Sequence, residues 1–481
     1  MKLFRPAFLV LGYLLLGFSI VMLVPVIVHP IYPEEHAPFL MSSFITATAS
    51  VIPLWLGRVA ENSHITSRQI FLVTVSSWIV IPAFGALPLI LGDHLSIPDG
   101  IFESVSGMTT TGSTVMSGLD HTAPTILLWR SILQWLGGIG IIGMAAAVLP
   151  LLKVGGMRLF RSESSDWSEK ALPRARQILT LLLWSYIILS VVCTVAYWAA
   201  GMTWFEAVNH MMTTLSTGGF STSDQSMGHF HSRALLWIST VFMAIGGMPF
   251  ILFARFLSKP NFRIFKDDQV IAFVELLAGS SVILAGYLVW KDHMDPFDAL
   301  THAAFNITSI VTTTGFVSQD YTTWGSFAVV MFFFLTLIGA CSGSTAGGIK
   351  IFRFQLCFIY VREHLTRLIH PHVVIAKRYN GVPLPDDIIN SAVAFAFVFF
   401  LTFAGSTLIL GFLGLDLVTS LSAAATALTN VGPGLGKIVG PAGNFASMPD
   451  TAKLVLSATM IFGRLELLTV IVVFTPSFWR D

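Results

Sequence analysis

Four times in this chain a long apolar run is followed by a short amphipathic stretch, a Thr/Ser/Gly-rich hairpin and a second apolar run. The hairpins are Thr109-Thr110-Thr111-Gly112-Ser113, Ser216-Thr217-Gly218-Gly219-Phe220, Thr312-Thr313-Thr314-Gly315-Phe316 and Thr429-Asn430-Val431-Gly432-Pro433. Repetition on this scale constrains the fold more than any local motif, because every unit has to bury its apolar surface in the same way. A single Thr-Thr-Thr-Gly is an ordinary turn between helices. Four in register, each between long apolar runs, are expected to be re-entrant loops. Irregular backbone at membrane depth is tolerated only where protein buries it or where it lines a water-filled cavity. The four hairpins are therefore expected to meet around one aqueous axis.

Composition points the same way. The 481 residues are 54% hydrophobic and 11% charged, against about 25% charged in soluble domains. The net charge of +1 leaves no electrostatic footprint for nucleic acid. Cys193, Cys341 and Cys357 lie in or beside apolar runs without metal-type spacing, which implies neither a disulfide framework nor a zinc site. The run from residue 6 to 28 is longer than a signal-peptide core and lacks a small-residue cleavage site, so it is expected to persist as a first helix.

The pattern predicts an all-α polytopic membrane protein. Two N-terminal transmembrane helices occupy 1–60, and four helix–pore loop–helix repeats follow at 61–155, 156–265, 266–380 and 381–481, around a pseudo-four-fold pore. Ten spans are expected, near 6–28, 38–57, 69–92, 125–152, 177–200, 233–257, 269–290, 325–359, 388–412 and 451–476. With that count Lys2, Arg5, Arg58, Arg68, the cations of 153–176, Arg255, Lys259, Arg263, Lys266, Arg353, Arg362, Arg367, Lys377, Arg378 and Arg480 share one side, and chiefly Lys291 and Lys437 face the other. Cytoplasmic loops carry the excess of lysine and arginine, so both termini are expected in the cytoplasm and the hairpins enter from outside.

Glycine recurs at one place in every hairpin (Gly112, Gly219, Gly315, Gly432) and permits positive φ. Rings of carbonyl oxygens can replace the hydration shell of a monovalent cation. The expected ion-binding set is Thr110, Thr111 and Gly112; Thr217, Gly218 and Gly219; Thr313, Thr314 and Gly315; and Asn430, Val431 and Gly432. Hydroxyls of Thr110, Thr111, Thr217, Thr313 and Thr429 are placed to add ligands or to brace the loops. Asp99, Glu206, Asp298 and Asp416 stand near the starts of the segments leading into the hairpins, where capping is a better explanation than ion binding. The opposite helix ends direct partial negative charge at the axis.

A gate is expected where Gly339, Ser342, Gly343, Ser344, Thr345, Gly347 and Gly348 interrupt the second helix of repeat three, since such a run cannot sustain a stiff helix. A close-packing kink is the alternative. Lys350 then either adds a positive barrier or reaches the cytoplasm. Arg464 lies inside the last span, and an intramembrane arginine is a functional position by default; it either faces the pore or pairs with Glu466 or another carboxylate. Gly138-Ile139-Gly140-Ile141-Ile142-Gly143 matches a dinucleotide fingerprint on paper but sits in a transmembrane run, where small residues serve helix packing. A membrane-embedded enzyme would need clustered nucleophile, base or metal ligands at membrane depth, and the sequence offers no such cluster. A non-transporting scaffold or sensor stays open.

Several stretches carry a family likeness: Gln134-Trp135-Leu136-Gly137-Gly138, Gly155-Gly156-Met157, the run 339–348, Asn430-Val431-Gly432-Pro433-Gly434-Leu435-Gly436, Phe462-Gly463-Arg464-Leu465-Glu466 and Phe474-Thr475-Pro476-Ser477-Phe478-Trp479. Through them the whole chain resembles the translocating subunit of Trk-type potassium transporters, within the Trk/Ktr/HKT superfamily. The resemblance implies a potassium selectivity filter at the hairpins and a gating role for 339–348. It also implies a homodimer in a bacterial inner membrane, a cytosolic ring of nucleotide-binding regulatory subunits, and K+ as transported ion with no covalent cofactor. In plant relatives serine at the first filter glycine accompanies sodium preference, so Gly112 favours potassium. A Na+-permeable pathway or symport with Na+ or H+ is the alternative within the same superfamily. Gly218 and Asn430-Val431 depart from Thr-Thr-Gly, so four-fold symmetry is expected to be approximate.

Overall fold

Ser96, Thr203, Asp295 and Asp416 each stand just before a short helix and cap it. Ser96 Oγ accepts from Asp99 N at 3.3 Å, Thr203 and Glu206 form a reciprocal capping box, Asp295 accepts from Phe297 N and Asp298 N, and Asp416 accepts from Thr419 N at 3.1 Å. The helices that follow are Ile97–Met108, Trp204–Leu215, Pro296–Val311 and Leu417–Thr429, here called pore helices 1 to 4. At 12 to 16 residues they reach only ~18–24 Å, short of a ~30 Å hydrocarbon layer, so each ends in the interior. Their C-terminal halves are almost wholly buried.

The computed structural model describes residues 4–28, 36–58, 66–147 and 171–480. Among them seven helices are long and apolar enough to cross a membrane: Arg5–Val26, Ala37–Gly57, Arg68–Gly92, Pro124–Met144, Gln177–Ala199, Asp268–Asp292 and Asp386–Phe412. The first two cross closely in antiparallel fashion, Gly12 against Leu54 and Gly57 against Leu9, because small residues let helix backbones approach. Most of these helices turn large apolar side chains outward, including Phe44, Ile52, Trp184, Phe397 and Leu408. Pro124–Met144 is different, with 72% of its apolar window buried. It packs against pore helices 1 and 2. This is a multi-pass membrane protein whose apolar outer surface suits lipid.

The second helix of each repeat, here called its inner helix, packs against the pore helices, and the four differ. In repeat one it runs unbroken over Pro124–Ala147. In repeat two Arg233–Gly246 bends by 88° into Phe250–Ser258; Pro249 at the break lacks an N–H and cannot continue the first segment. In repeat three Ser326–Leu337 gives way to irregular chain before Ile351–Ile369, with Ile338–Gly339 and Ile349–Lys350 pairing as a short parallel ladder. In repeat four Asp450–Arg464 bends by 110° into Leu467–Phe474 through Glu466, whose φ is +59°. The spans expected at 233–257 and 451–476 are thus broken as well as the one at 325–359.

Two smaller features follow from local chemistry. Within the first span the α-helix covers Arg5–Val21 and a 3-10 turn, Val24–Val28, follows around Pro25. The fold is helical as expected, and its strands are two-residue pairs, the second being Arg378–Tyr379 with Val382–Pro383 across an Asn380-Gly381 turn. Both turn residues have positive φ, the two-residue hairpin geometry that Asn-Gly favours. Lys2, the end of the span expected to reach 152, Gly155-Gly156-Met157 and the 153–170 portion of the expected loop lie outside the described residues.

Candidate ion-conducting site

At the end of each pore helix the backbone takes the same two steps. Thr110, Thr217, Thr313 and Asn430 are left-handed (φ 56°, 54°, 57° and 57°), and two residues on Gly112, Gly219, Gly315 and Gly432 are left-handed again (φ 83°, 78°, 81° and 108°). The glycines were legible in the sequence; the first set was not. A left-handed non-glycine costs roughly 1–2 kcal/mol, and here it recurs at equivalent places in completely buried residues. Asn430 was the available signal, since asparagine tolerates this region best among non-glycine residues.

The four hairpins close into a ring. A Cβ placed on Gly112 would collide with the carbonyl oxygen of Gly218, one on Gly219 with that of Thr314, and one on Gly315 with that of Val431. A Cβ on Gly432 would meet the Thr111 carbonyl oxygen at 2.7 Å. Repeat one therefore touches two, two touches three, three touches four and four touches one, always glycine against the carbonyl that precedes the next glycine. A cavity of about 520 Å³ opens onto this ring and is lined by all four glycines.

Around the ring the side-chain bracing varies. Thr109 and Thr111 share a hydrogen bond of 2.7 Å, and Thr312 and Thr314 one of 2.8 Å. Repeat two has no threonine at Gly218; Gln134 fills the space, its Nε2 donating to Gly218 O at 2.6 Å and its Oε1 accepting from Phe220 N at 3.1 Å. In repeat four Val431 is buried, and Asn430 Nδ2 donates to Thr111 Oγ1 and Met460 O, both at 2.9 Å. Thr429 donates to Ala425 O in its own helix. Thr110 Oγ1 is buried without a hydrogen-bond partner among the described residues. Of the hydroxyls expected as ligands or braces, Thr111 and Thr429 are therefore engaged in bracing.

Thr217 and Thr313 reach instead to the interruption in repeat three. Thr217 Oγ1 is 3.2 Å from Thr345 Oγ1, and Thr313 Oγ1 accepts from Gly347 N at 2.7 Å. A Cβ on Gly347 would collide with Thr429 O. Thr345 Oγ1 also lies 3.0 Å from Leu215 O and 3.1 Å from Gly246 O. Ser342 N donates to Gln269 Oε1 (2.8 Å), and Phe250 N to Gly343 O (2.9 Å). The segment thus lies directly beneath the ring, touching repeats two, three and four. A cavity of about 40 Å³ lies against it, bordered by Ser342, Gly343, Ser344, Gly347, Gly348, Lys350, Arg353 and Arg464.

Arg464 ends the first part of the bent inner helix and donates from Nη1 to Thr345 O at 2.7 Å. Its Nε and Nη2 have no hydrogen-bond partner among the described residues. The expected alternative, a pair with Glu466, does not form: Glu466 pairs with Arg353, which stacks over Phe395 at 3.7 Å. Lys350 does not reach out to solvent; its ammonium turns back to Ala346 O. Gly339 is packed on Gly347 and Gly348. The four acids noted in the sequence all act at pore-helix starts: Asp99 also pairs with Lys453 at 2.5 Å, and Asp298 with Arg233 at 2.7 Å. Sequence reasoning missed Glu103 and Arg130, an ion pair of 2.8 Å with both side chains almost fully buried behind hairpin one.

A family model described as TrkH, cation transport protein, matches residues 36–480. The chain is 46% identical over 480 residues to the Trk system potassium uptake protein TrkI of Halomonas elongata, covering 99% of this chain and 97% of that one. It is 36% identical to the Trk system potassium uptake protein TrkH of Escherichia coli K12, over 99% of this chain and all of that one. Among solved structures it is similar to the potassium transporter TrkH from Vibrio parahaemolyticus, with a TM-score of 0.91 at 36% identity, covering 99% of this chain and 100% of that one.

Proposed function

This chain belongs to the TrkH family of cation transport proteins, and on that premise we propose that it is the potassium-conducting membrane subunit of a Trk-type uptake system. The observation that carries the reading is the closed glycine-to-carbonyl ring. Each carbonyl of the set Thr111, Gly218, Thr314 and Val431 lies against the next repeat's glycine, so a dehydrated monovalent cation on the axis meets oxygens from all four repeats. The filter residues are the twelve of the four hairpins, and Gly112 in the first favours K+ over Na+.

The lysines and arginines along the sequence fall mainly in loops that a ten-span topology puts on one side, and on that basis the 520 Å³ cavity faces outward and both termini face the cytoplasm of a bacterial inner membrane. Potassium leaves water in that vestibule, crosses the ring, and is held back by the segment 339–348 until it moves. Arg464 holds that segment by the Thr345 carbonyl and, with Lys350, sets positive charge beneath the ring. Inward movement gains ~2.3 kcal/mol per charge for each 100 mV of potential. Release of the gate falls to a cytosolic nucleotide-binding regulatory ring, and two copies of the chain form the membrane unit.

The test is uptake of Rb+ and Na+ into proteoliposomes by the protein and its Gly112→Ser variant. The expected result is Rb+ flux above Na+ flux by roughly tenfold or more, with the preference reduced by the serine, whose Cβ displaces the Gly218 carbonyl. Equal fluxes in the unaltered protein, or an unchanged ratio in the folded variant, would sink the proposal.

A further inference from the structure

Seven residues before each left-handed hairpin residue, the pore helices carry Glu103, His210, Asn306 and Ala423. The first three bind the chain that leaves the hairpin. Glu103 accepts from Thr114 Oγ1 at 2.9 Å and from Val115 N at 2.9 Å. His210 Nε2 is 3.0 Å from Ser221 Oγ, and Asn306 binds Ser318 through both its Oγ (2.8 Å) and its N (3.3 Å). Ala423 has nothing to offer, and Ser422 reaches Leu435 O instead. Each exit limb is thus tied to its own pore helix, and only the first tie carries a charge.

That charge is met by Arg130, which does more than neutralise it. Its Nε binds Glu103 at 2.8 Å, its Nη2 lies 3.2 Å from Thr114 Oγ1, its Nη1 donates to Ser221 O of repeat two at 3.3 Å, and its guanidinium sits 4.1 Å above the Phe220 ring. One helical turn on, Gln134 holds Gly218 O and Phe220 N. The inner helix of repeat one therefore grips hairpin two at 218, 220 and 221 while the same arginine grips hairpin one. Gly137, Gly246 and Gly463 occupy matching places against Met108 O, Leu215 O and Leu428 O. By that register the residues matching Arg130 and Gln134 are Ser239 and Met243 in repeat two, and Leu456 and Met460 in repeat four. Neither of those helices can make this clamp.

We propose that Glu103, Arg130 and Gln134 are positioning residues that fix the spacing of hairpins one and two, and through the Gly218 carbonyl set how well the ring discriminates among monovalent cations. The proposal rests on the potassium-conducting reading above. A rigid guanidinium held by several partners fixes geometry better than a flexible ammonium does, and a carbonyl bonded at 2.6 Å cannot swing inward to suit a smaller ion.

The experiment compares Rb+ and Na+ uptake in proteoliposomes for the protein, Glu103→Gln/Arg130→Gln, Gln134→Leu and the control Arg233→Ala, which removes the exposed pair with Asp298. The double variant removes both charges together, so no lone charge is left buried. Both clamp variants are expected to lose about fivefold or more of the Rb+/Na+ ratio while still carrying Rb+, and the control to keep its ratio. Folded, monodisperse clamp variants with the unaltered ratio, even if less heat-stable, would overturn the proposal and leave only a structural role. If the double variant does not fold, Gln134→Leu alone decides, because its ion pair is intact. An unaltered protein without Rb+ preference would instead overturn the potassium reading.

Discussion

The ring and the inner helices that surround it are built from the same four repeats and have diverged to opposite degrees. At the ring the four left-handed non-glycine residues agree within 3° in φ, from 54° to 57°, and the four glycines lie between 78° and 108°. In the inner helices the course of the chain differs in each: one is continuous, two bend by 88° and 110°, and one is interrupted by the segment 339–348. An ion on an axis needs oxygens at comparable distances on all sides, so departures at the ring are costly in every repeat. A gate needs one element that can move, and three that cannot. On the proposed reading, the asymmetry beneath the ring and the symmetry at it would serve one pathway.

The contrast can be broken from the ring side first. Gly219→Ala puts a Cβ on a left-handed residue and into the Thr314 carbonyl. It is expected to lower Rb+ uptake by more than about tenfold, since both strain and collision act at the ring; near-normal uptake by the folded variant would show that the ring contacts are dispensable. From the gate side, Arg464→Ala removes a charge-assisted hydrogen bond to Thr345 O, worth ~1.5–3 kcal/mol. Cation leak without any cytosolic partner is expected to rise by roughly tenfold, with ion preference retained; an unchanged leak would assign the arginine to packing alone. The smallest effect is expected where the two regions touch. Thr313→Val removes the acceptor for Gly347 N, about 1 kcal/mol, or a roughly fivefold shift in the loop's equilibrium. Single-channel open probability should rise accordingly, and a change in ion preference larger than the change in opening would place Thr313 in the ring's chemistry more than the gate's.

Much of the ring was legible because its constraints are local. Glycine three or four residues past a helix end answers to backbone sterics, and four glycines at equivalent positions announce four equivalent turns. The interruption in repeat three was visible for the same reason: Gly339, Gly343, Gly347 and Gly348 within one apolar run. The bends in repeats two and four were not anticipated, although Pro249 was in plain view; in repeat four the chain turns at Glu466, a residue with no turn-forming reputation, held by Arg353 from another repeat. Gln134 illustrates the remaining gap. It belongs to the run 134–138 that carries the family likeness, but that its amide occupies the space of the side chain missing at Gly218 depends on a contact between residues 84 positions apart.

The sequence by itself determined the membrane class, the repeat count, the places where the backbone must turn left-handed at glycine, and the one helix that glycine dissolves. These follow from apolar run length, periodicity and φ, which are properties of neighbouring residues. Only the tertiary structure decided which repeat's carbonyl faces which glycine, that Arg464 binds a carbonyl while Glu466 serves Arg353, and that Arg130 joins two hairpins. Those depend on partners brought together from different repeats. Most buried polar groups find a partner, but their own sequence neighbourhood does not say which.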